Sequence, residues 1–276
     1  MLTLYRFWFR IGSWCWPGWS ARQAFQLFIT PRLRVTKPLP PSFAKANQLS
    51  LIESEGCCRG WHWNPGGTRR ILVLHGFSSA ARNFAHLIDA LVERNMEVIA
   101  FDAPAHGLSE GKQIHSLQYR KFIQAIREKW GPFDGYIAHS FGGLSISLAL
   151  EENPPNAQER LVLIAPATET RSALQQLQQT LLLRKNIMQR IDQLIEERSG
   201  RTVSWFSVNR VIEKLTIPIF WIHDRSDDVT PYEDIEPSQH RSAENVQFHI
   251  TDGLGHRRVY RDPAVCEKII QFLTQR

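Results

Sequence analysis

From residue 47 onward the chain alternates short apolar runs with stretches of helical periodicity, and this alternation constrains the fold more than any other feature. The runs are RILVLHG (70–76), EVIAFDA (97–103), FDGYIAHS (133–140), RLVLIAP (160–166), IPIFWIHD (217–224) and VQFHIT (246–251). They are continuously apolar, as strands covered on both faces must be. Helical patterns near 83–95, 114–130, 141–152 and 263–275 fall between them, where crossover connections belong. NQLSLIES and CRGWHWN read as an opening antiparallel pair closed by the turn NPGG. The expectation is an α/β fold with a mostly parallel, doubly wound sheet.

One connection is too long for a simple crossover. Between Pro166 and Thr216, Leu174, Leu177 and Leu181, then Ile187, Ile191, Leu194 and Ile195, recur at helical spacing until Ser199 and Gly200 end the pattern. A helix pair placed after the C-terminal end of a parallel strand is positioned to cover a ligand cleft, whereas ordinary surface helices would merely pack on the core. The chain therefore divides into an N-terminal aromatic arm (1–46), a core (47–166 and 214–276) and a helical cap or lid insertion (167–213). At 276 residues and 43% hydrophobic, it has enough apolar material for one such domain.

The arm holds Trp8, Trp14, Trp16 and Trp19 of the nine tryptophans. Arg6, Arg10 and Pro17 interrupt it, so it reads as neither a signal peptide nor a membrane span. Tryptophan with arginine suits a water–membrane interface, but apolar helix stripes are usually buried, and packing onto the domain's own surface is favoured. The net charge of +6 comes from scattered basic residues without the dense run of a nucleic-acid tail, and is read as solubility. Cys15, Cys57, Cys58 and Cys266 lack metal-ligand or redox spacing, which points to reduced thiols and a cytoplasmic protein.

The chemistry-bearing residues sit at strand ends. Ser140 lies where a strand pattern meets a helix pattern, followed by Gly142 and Gly143, so the chain can turn sharply and leave the hydroxyl exposed. A serine hydroxyl needs a base, and the base needs an orienting group. IHDRSDDVTP supplies Asp224, Asp227 and Asp228 after one strand, and ITDGLGHRRV supplies His256 after the next. A metal site built from His75, His106, His139, His223 and His256 lacks any recognisable ligand spacing.

These segments together resemble the α/β-hydrolase superfamily from about residue 47 to the C-terminus. LHGFSS resembles its oxyanion loop, FDAPAHGLS the motif after the next strand, AHSFGG the nucleophile elbow, HDRSDDVTP the acid loop and GLGHRRV the histidine loop. Ala138 stands where the elbow has its first glycine, and Ala105 where the preceding motif often has one. The resemblance implies Ser140 as nucleophile, His256 as general base and Asp227 as its orienting acid, with Asp224 and Asp228 left as alternatives. It implies an oxyanion hole from the backbone N–H groups of Phe77 and Phe141. His75, Gly76, His106 and His139 take supporting roles, His139 as a pocket wall.

The expected activity is that of a serine hydrolase acting on a small-molecule carboxylic ester or thioester, needing no cofactor or metal and no nucleic-acid partner. Leu181, Leu182, Leu183 and Met188 of the lid suggest a hydrophobic acyl group. Two alternatives stand beside it: acyl transfer by the same residues, and a hydrolase-fold binding or scaffold protein at a membrane surface.

Overall fold

A computed structural model describes residues 2–32, 38–54, 56–241 and 243–275. In chain order the elements are α1 (Leu2–Cys15), α2 (Pro17–Ile29), β1 (Asn47–Glu53), β2 (Gly56–Trp63), β3 (Arg70–Leu74), α3 (Ala85–Glu93), β4 (Glu97–Phe101), α4 (Ser116–Trp130), β5 (Gly135–His139), α5 (Phe141–Glu152) and β6 (Arg160–Ile164). Then come α6 (Thr170–Leu181), α7 (Lys185–Ser199), α8 (Val208–Ile212), β7 (Ile219–Asp224), α9 (Glu236–Arg241), β8 (Val246–Thr251), α10 (Gly255–Arg258) and α11 (Pro263–Thr274).

The eight strands form one sheet in the order β1-β2-β4-β3-β5-β6-β7-β8. β1 with β2 and β2 with β4 are antiparallel; every other pair is parallel. The opening pair is antiparallel as expected, but its reversal lies between Glu53 and Gly56 and not at NPGG. That tetrapeptide instead leads from β2 into β3, with Asn64 and Gly66 in the left-handed region.

The apolar strands alternate between two cores. Leu72, Leu74, Tyr136, Ala138, Leu161, Leu163, Ile219 and Trp221 point to one, which also takes in α4, α5 and the helices between β6 and β7. Ile71, Val73, Ile137, Val162, Ile164, Phe220 and Ile222 point to the other, closed by α3 and α11. Burial on both sides explains why the strands lack an exposed polar register. Ala138 is fully buried in the first core, so its methyl group fills space there and leaves the turn beyond it unhindered.

The N-terminal arm joins the first core. Phe9, Ala21, Ala24, Phe25 and Ile29 are buried in it, and α2 lies along α7. Backbone bonds from Ile114 N–H to Ile29 O (2.9 Å) and from Arg32 N–H to Ser78 Oγ (3.2 Å) tie the end of α2 to the loops around the sheet edge.

β3 is flanked by β4 and β5, so the chain leaves it in one direction and returns on the other side. This switch point sends the helices after β3 and β5 to opposite faces of the sheet and opens a crevice at the strands' carboxyl ends. Two neutral histidines brace the crevice. His75 Nδ1–H donates to Gly76 O (2.8 Å) while its Nε2 accepts from Ala103 N–H (2.9 Å). His106 Nδ1–H donates to Pro104 O (3.0 Å), and its Nε2 accepts from Ser78 N–H (2.9 Å). These bonds are a pair of stitches between the loops after β3 and β4.

Asp102 anchors the second loop by accepting from Ala81 N–H and Leu108 N–H, both at 2.8 Å. Burial pushes its carboxyl up to about 6, against the pull of those two bonds. Ala105, where glycine was expected, has φ +66, the conformation that makes glycine the easier residue there. Gly107 has φ +49 and lies hard against the Asp102 carboxylate, leaving no room for a Cβ.

Burial holds the His75 imidazole down to about 4. The unfolded chain takes that proton near 6.5, so this contribution to stability is complete above pH 6.5 and is lost as pH falls toward 4. By pH 5 the loss from His75 amounts to about 2 kcal/mol. Imidazole ¹⁵N spectra should show His75 neutral, with the proton on Nδ1, from pH 8 to about pH 5; protonation near its ordinary value would contradict the bracing role. Gly107→Ala should displace Asp102 and lose both backbone bonds, costing about 3 kcal/mol in denaturant unfolding.

Candidate active site

Ser140 sits between β5 and α5 with φ 54° and ψ −121°, a conformation an L-residue adopts only at a cost of about 1–3 kcal/mol. Its backbone is held by Ser140 N–H to Ile164 O (3.1 Å) and by Ala167 N–H to Ser140 O (2.9 Å). The turn also needs two missing side chains nearby. A Cβ on Gly76 would come within 2.8 Å of Ser140 Cβ, and one on Gly142 within 2.7 Å of His75 O. The strained turn therefore fits against the loop after β3 only because those positions are bare.

Asp227 and His256 converge on this serine from the ends of β7 and β8. Ser140 Oγ–H donates to His256 Nε2 (3.0 Å), and His256 Nδ1–H donates to Asp227 Oδ2 (2.8 Å). Asp227 Oδ1 accepts from Val229 N–H and Thr230 N–H, and Oδ2 from Thr230 Oγ1–H, all at 2.8 Å. Burial alone would raise the Asp227 carboxyl. The hydrogen bond from His256, with the two backbone donors, holds it below the ordinary range. The imidazole is thus fixed with its proton on the aspartate side and its lone pair toward the serine.

The other two aspartates have different surroundings. Asp228 is exposed. Asp224 is buried and joins the two loops: its Oδ1 accepts from Ser226 N–H (3.0 Å) and Oγ–H (2.6 Å), its Oδ2 from Thr251 Oγ1–H (2.6 Å) and Leu254 N–H (3.0 Å). Burial opposes its charge, but these donors outweigh it and keep the carboxyl far below its usual value. Asp224 holds the Asp227 loop and the His256 loop side by side.

His139 lies behind His256, outside the cavity wall where it was expected. Its Nε2–H donates to His256 O (3.0 Å), and its ring packs 4.6 Å from the His256 ring and 4.7 Å from Tyr260. Full burial keeps it neutral, its proton affinity far below the ordinary value. His223 similarly donates Nε2–H to Thr230 O (2.9 Å). With His75, His106 and His256 each using both ring nitrogens within the protein, these imidazoles do not present a free ligand set. Burial pushes the thiols of Cys58 and Cys266 up to about 12 and 11, which makes them poor nucleophiles.

Above Ser140 is a cavity of about 250 Å³ with an apolar lining that includes Phe77, Phe141, Leu144, Ile195 and Phe206. The Phe77 and Phe141 rings meet edge to face at 5.6 Å. Among the described residues neither backbone N–H has a protein acceptor. Leu181, Leu183 and Met188, assigned to the ligand side from sequence, are buried in the core, and Leu182 is exposed; none lines the cavity. Helix α6 contributes Ala173 and Gln176 instead, because the face with Leu174, Leu177 and Leu181 is taken by packing.

Sequence reasoning missed Thr230, which touches both Asp227 and His256, although its place three residues after Asp227 marks an Asx-type turn. It also missed the arm's share of the cavity, where Phe25, Phe28 and Ile29 of α2 form one wall. No periodicity in residues 17–29 says which surface that helix meets.

The family described as "Serine aminopeptidase, S33" matches residues 68–209, just over half of the chain. A serine hydrolase-like protein of Danio rerio is 25% identical, over 67% of this chain and 56% of its own length. Mouse (Mus musculus) monoglyceride lipase is 26% identical, over 59% of each chain. The aligned region therefore spans less than two thirds of either relative. A Pyrococcus furiosus esterase structure superposes with TM-score 0.64 at 20% identity, covering 89% of this chain and 97% of that one, a likeness of fold. With the mostly parallel eight-stranded sheet and its crossover helices, the match places the fold among the α/β hydrolases, and the chain belongs to the Serine aminopeptidase, S33 family.

Proposed function

We propose that the protein hydrolyses a carboxylic ester with an apolar acyl group through an acyl-enzyme on Ser140. The observation that carries this reading is the unbroken series Ser140 Oγ, His256, Asp227 at 3.0 and 2.8 Å, beneath an apolar cavity. Ser140 Oγ attacks the ester carbonyl carbon as its proton passes to His256 Nε2. Asp227 accepts the hydrogen bond from Nδ1–H and stabilises the imidazolium. The carbonyl oxygen takes up negative charge facing the Phe77 and Phe141 N–H groups, which serve as the oxyanion hole. The tetrahedral intermediate then collapses, the bond to the leaving oxygen breaks, and His256 returns the proton to the departing alcohol. Water repeats the sequence on the acyl-enzyme, giving its proton to His256 and releasing the acid, after which the proton returns to Ser140.

The cavity residues Phe25, Phe28, Leu144, Ile195 and Phe206 support an apolar acyl portion. The name of one relative, monoglyceride lipase, supports the ester class. Helices α6 and α7 act as the lid, with α2 as its third side. A thioester passes through the same steps with a better leaving group, so a panel of matched esters and thioesters of increasing acyl length establishes which is preferred.

A fluorophosphonate probe should label the native protein and leave Ser140→Ala unlabelled; equal labelling of both would refute the assignment. Asp227→Asn should lower kcat by about 10⁴-fold, because the imidazole then loses its correct tautomer. Asp224→Asn should act differently: thermal unfolding should move to lower temperature by several degrees as the loop junction weakens, and an unchanged Tm would remove its bridging role.

A further inference from the structure

The arm has two sides, and only one is accounted for. Phe9, Ala21, Ala24, Phe25 and Ile29 face inward, while Phe7 (60% exposed), Trp8 (55%), Trp14 (72%), Trp16 (64%) and Trp19 (49%) face solvent. With Tyr5 these are all the exposed large aromatic side chains among the described residues. The arm thus packs on the domain through its inner face and leaves its tryptophans largely exposed. An exposed aromatic surface of this kind is costly in water unless something covers it.

Charge identifies what covers it. Residues 1–52 contain seven Lys and Arg and no Asp or Glu, against a net charge of +6 for the whole chain. The basic residues are scattered along the sequence, but the acidic ones are missing from this end, and everything after it is close to neutral. Arg22 lies exposed on α2 three residues after Trp19, on the same side of the helix. Arg184 is exposed and stacks 4.3 Å above the Trp14 ring, and Leu182, 63% exposed at the turn between α6 and α7, lies two residues before it.

We infer that the outer face of α1 and α2 docks on an anionic lipid bilayer. Indole rings settle at the level of the headgroups, and guanidinium groups beside them meet lipid phosphates and carboxylates. A second copy of the chain is disfavoured as the occupant, because two faces of the same positive sign repel. The helices lie on the surface and do not span it. They are 14 and 13 residues long, separated at Trp16, and among the described residues no helix is long and apolar enough to cross a membrane. The opposite side of α2 forms a wall of the cavity, so docking brings that cavity within about one helix diameter, roughly 10 Å, of the lipid.

The test is co-sedimentation of the full chain with phosphatidylcholine vesicles, with or without about one third phosphatidylglycerol, at low and high salt. The protein should bind the anionic vesicles at least about tenfold better, and high salt should weaken that binding. Combined Trp14→Ser, Trp16→Ser and Trp19→Ser should reduce binding at least about tenfold while leaving turnover of a soluble ester unchanged. Ser140→Ala should bind like the native protein, which separates docking from the catalytic reading. No preference for anionic lipid, equal binding by the triple variant, or a dimer in solution that the triple variant splits would each overturn the inference. Should that variant unfold, quenching of native tryptophan fluorescence by brominated lipid decides instead: quenching supports docking, and its absence refutes it.

Discussion

The sheet divides its connections between β3 and β5, and the placing of the Ser140 turn depends on the gap this leaves. Parallel strands must be joined by right-handed crossovers, so a strand with later strands on both sides sends its helices to opposite faces. The loops that emerge from β3 and β5 are then neighbours with nothing between them. Gly76 and Gly142 allow that approach, because neither adds a side chain where the strained Ser140 turn meets the loop after β3. Strain at Ser140 is tolerable because strands and helices packed on both faces fix the turn's two ends.

Around the gap, burial and hydrogen bonding divide the polar residues into two kinds. Imidazoles are kept neutral: His75, His139 and His223 are buried beyond the reach of water and hold loop backbones in place by directional bonds. Carboxylates at the end of β7 are kept charged, because Asp224 and Asp227 each collect several N–H and O–H donors that outweigh their desolvation. Asp102 lies between these extremes, with two backbone donors that only partly offset its burial. Fewer donors and deeper burial together leave Asp102 raised, while Asp224 and Asp227 stay below the ordinary range.

Much of this is legible in the sequence because it depends on local pattern. Continuous apolar runs foretell strands buried on both sides, and Ser140, Asp227 and His256 can be located because each follows such a run. Their mutual distances become apparent only in three dimensions, as does the separation of Asp224 from Asp227, two carboxylates in one loop with different partners. The hairpin is misplaced in the sequence reading because NPGG is a strong turn signal and the residues between Glu53 and Gly56 are a weak one. His139 is not a wall residue because adjacency to Ser140 says nothing about side-chain direction at a positive-φ turn. The role of Phe25, Phe28 and Ile29 depends on contacts with elements far away in sequence, α7 above all.

The cavity draws one wall from α2, which lies before the first strand and contributes nothing to Ser140, His256 or Asp227. Shape and reactivity are therefore encoded in separate parts of the chain. Substitutions at Phe25, Phe28 or Ile29 can reshape the volume above the serine while the strained turn, His256 and Asp227 stay in register. On the proposed reading, a lineage could change the molecules the cavity admits by altering a single amphipathic helix, with Ser140, His256 and Asp227 left unchanged.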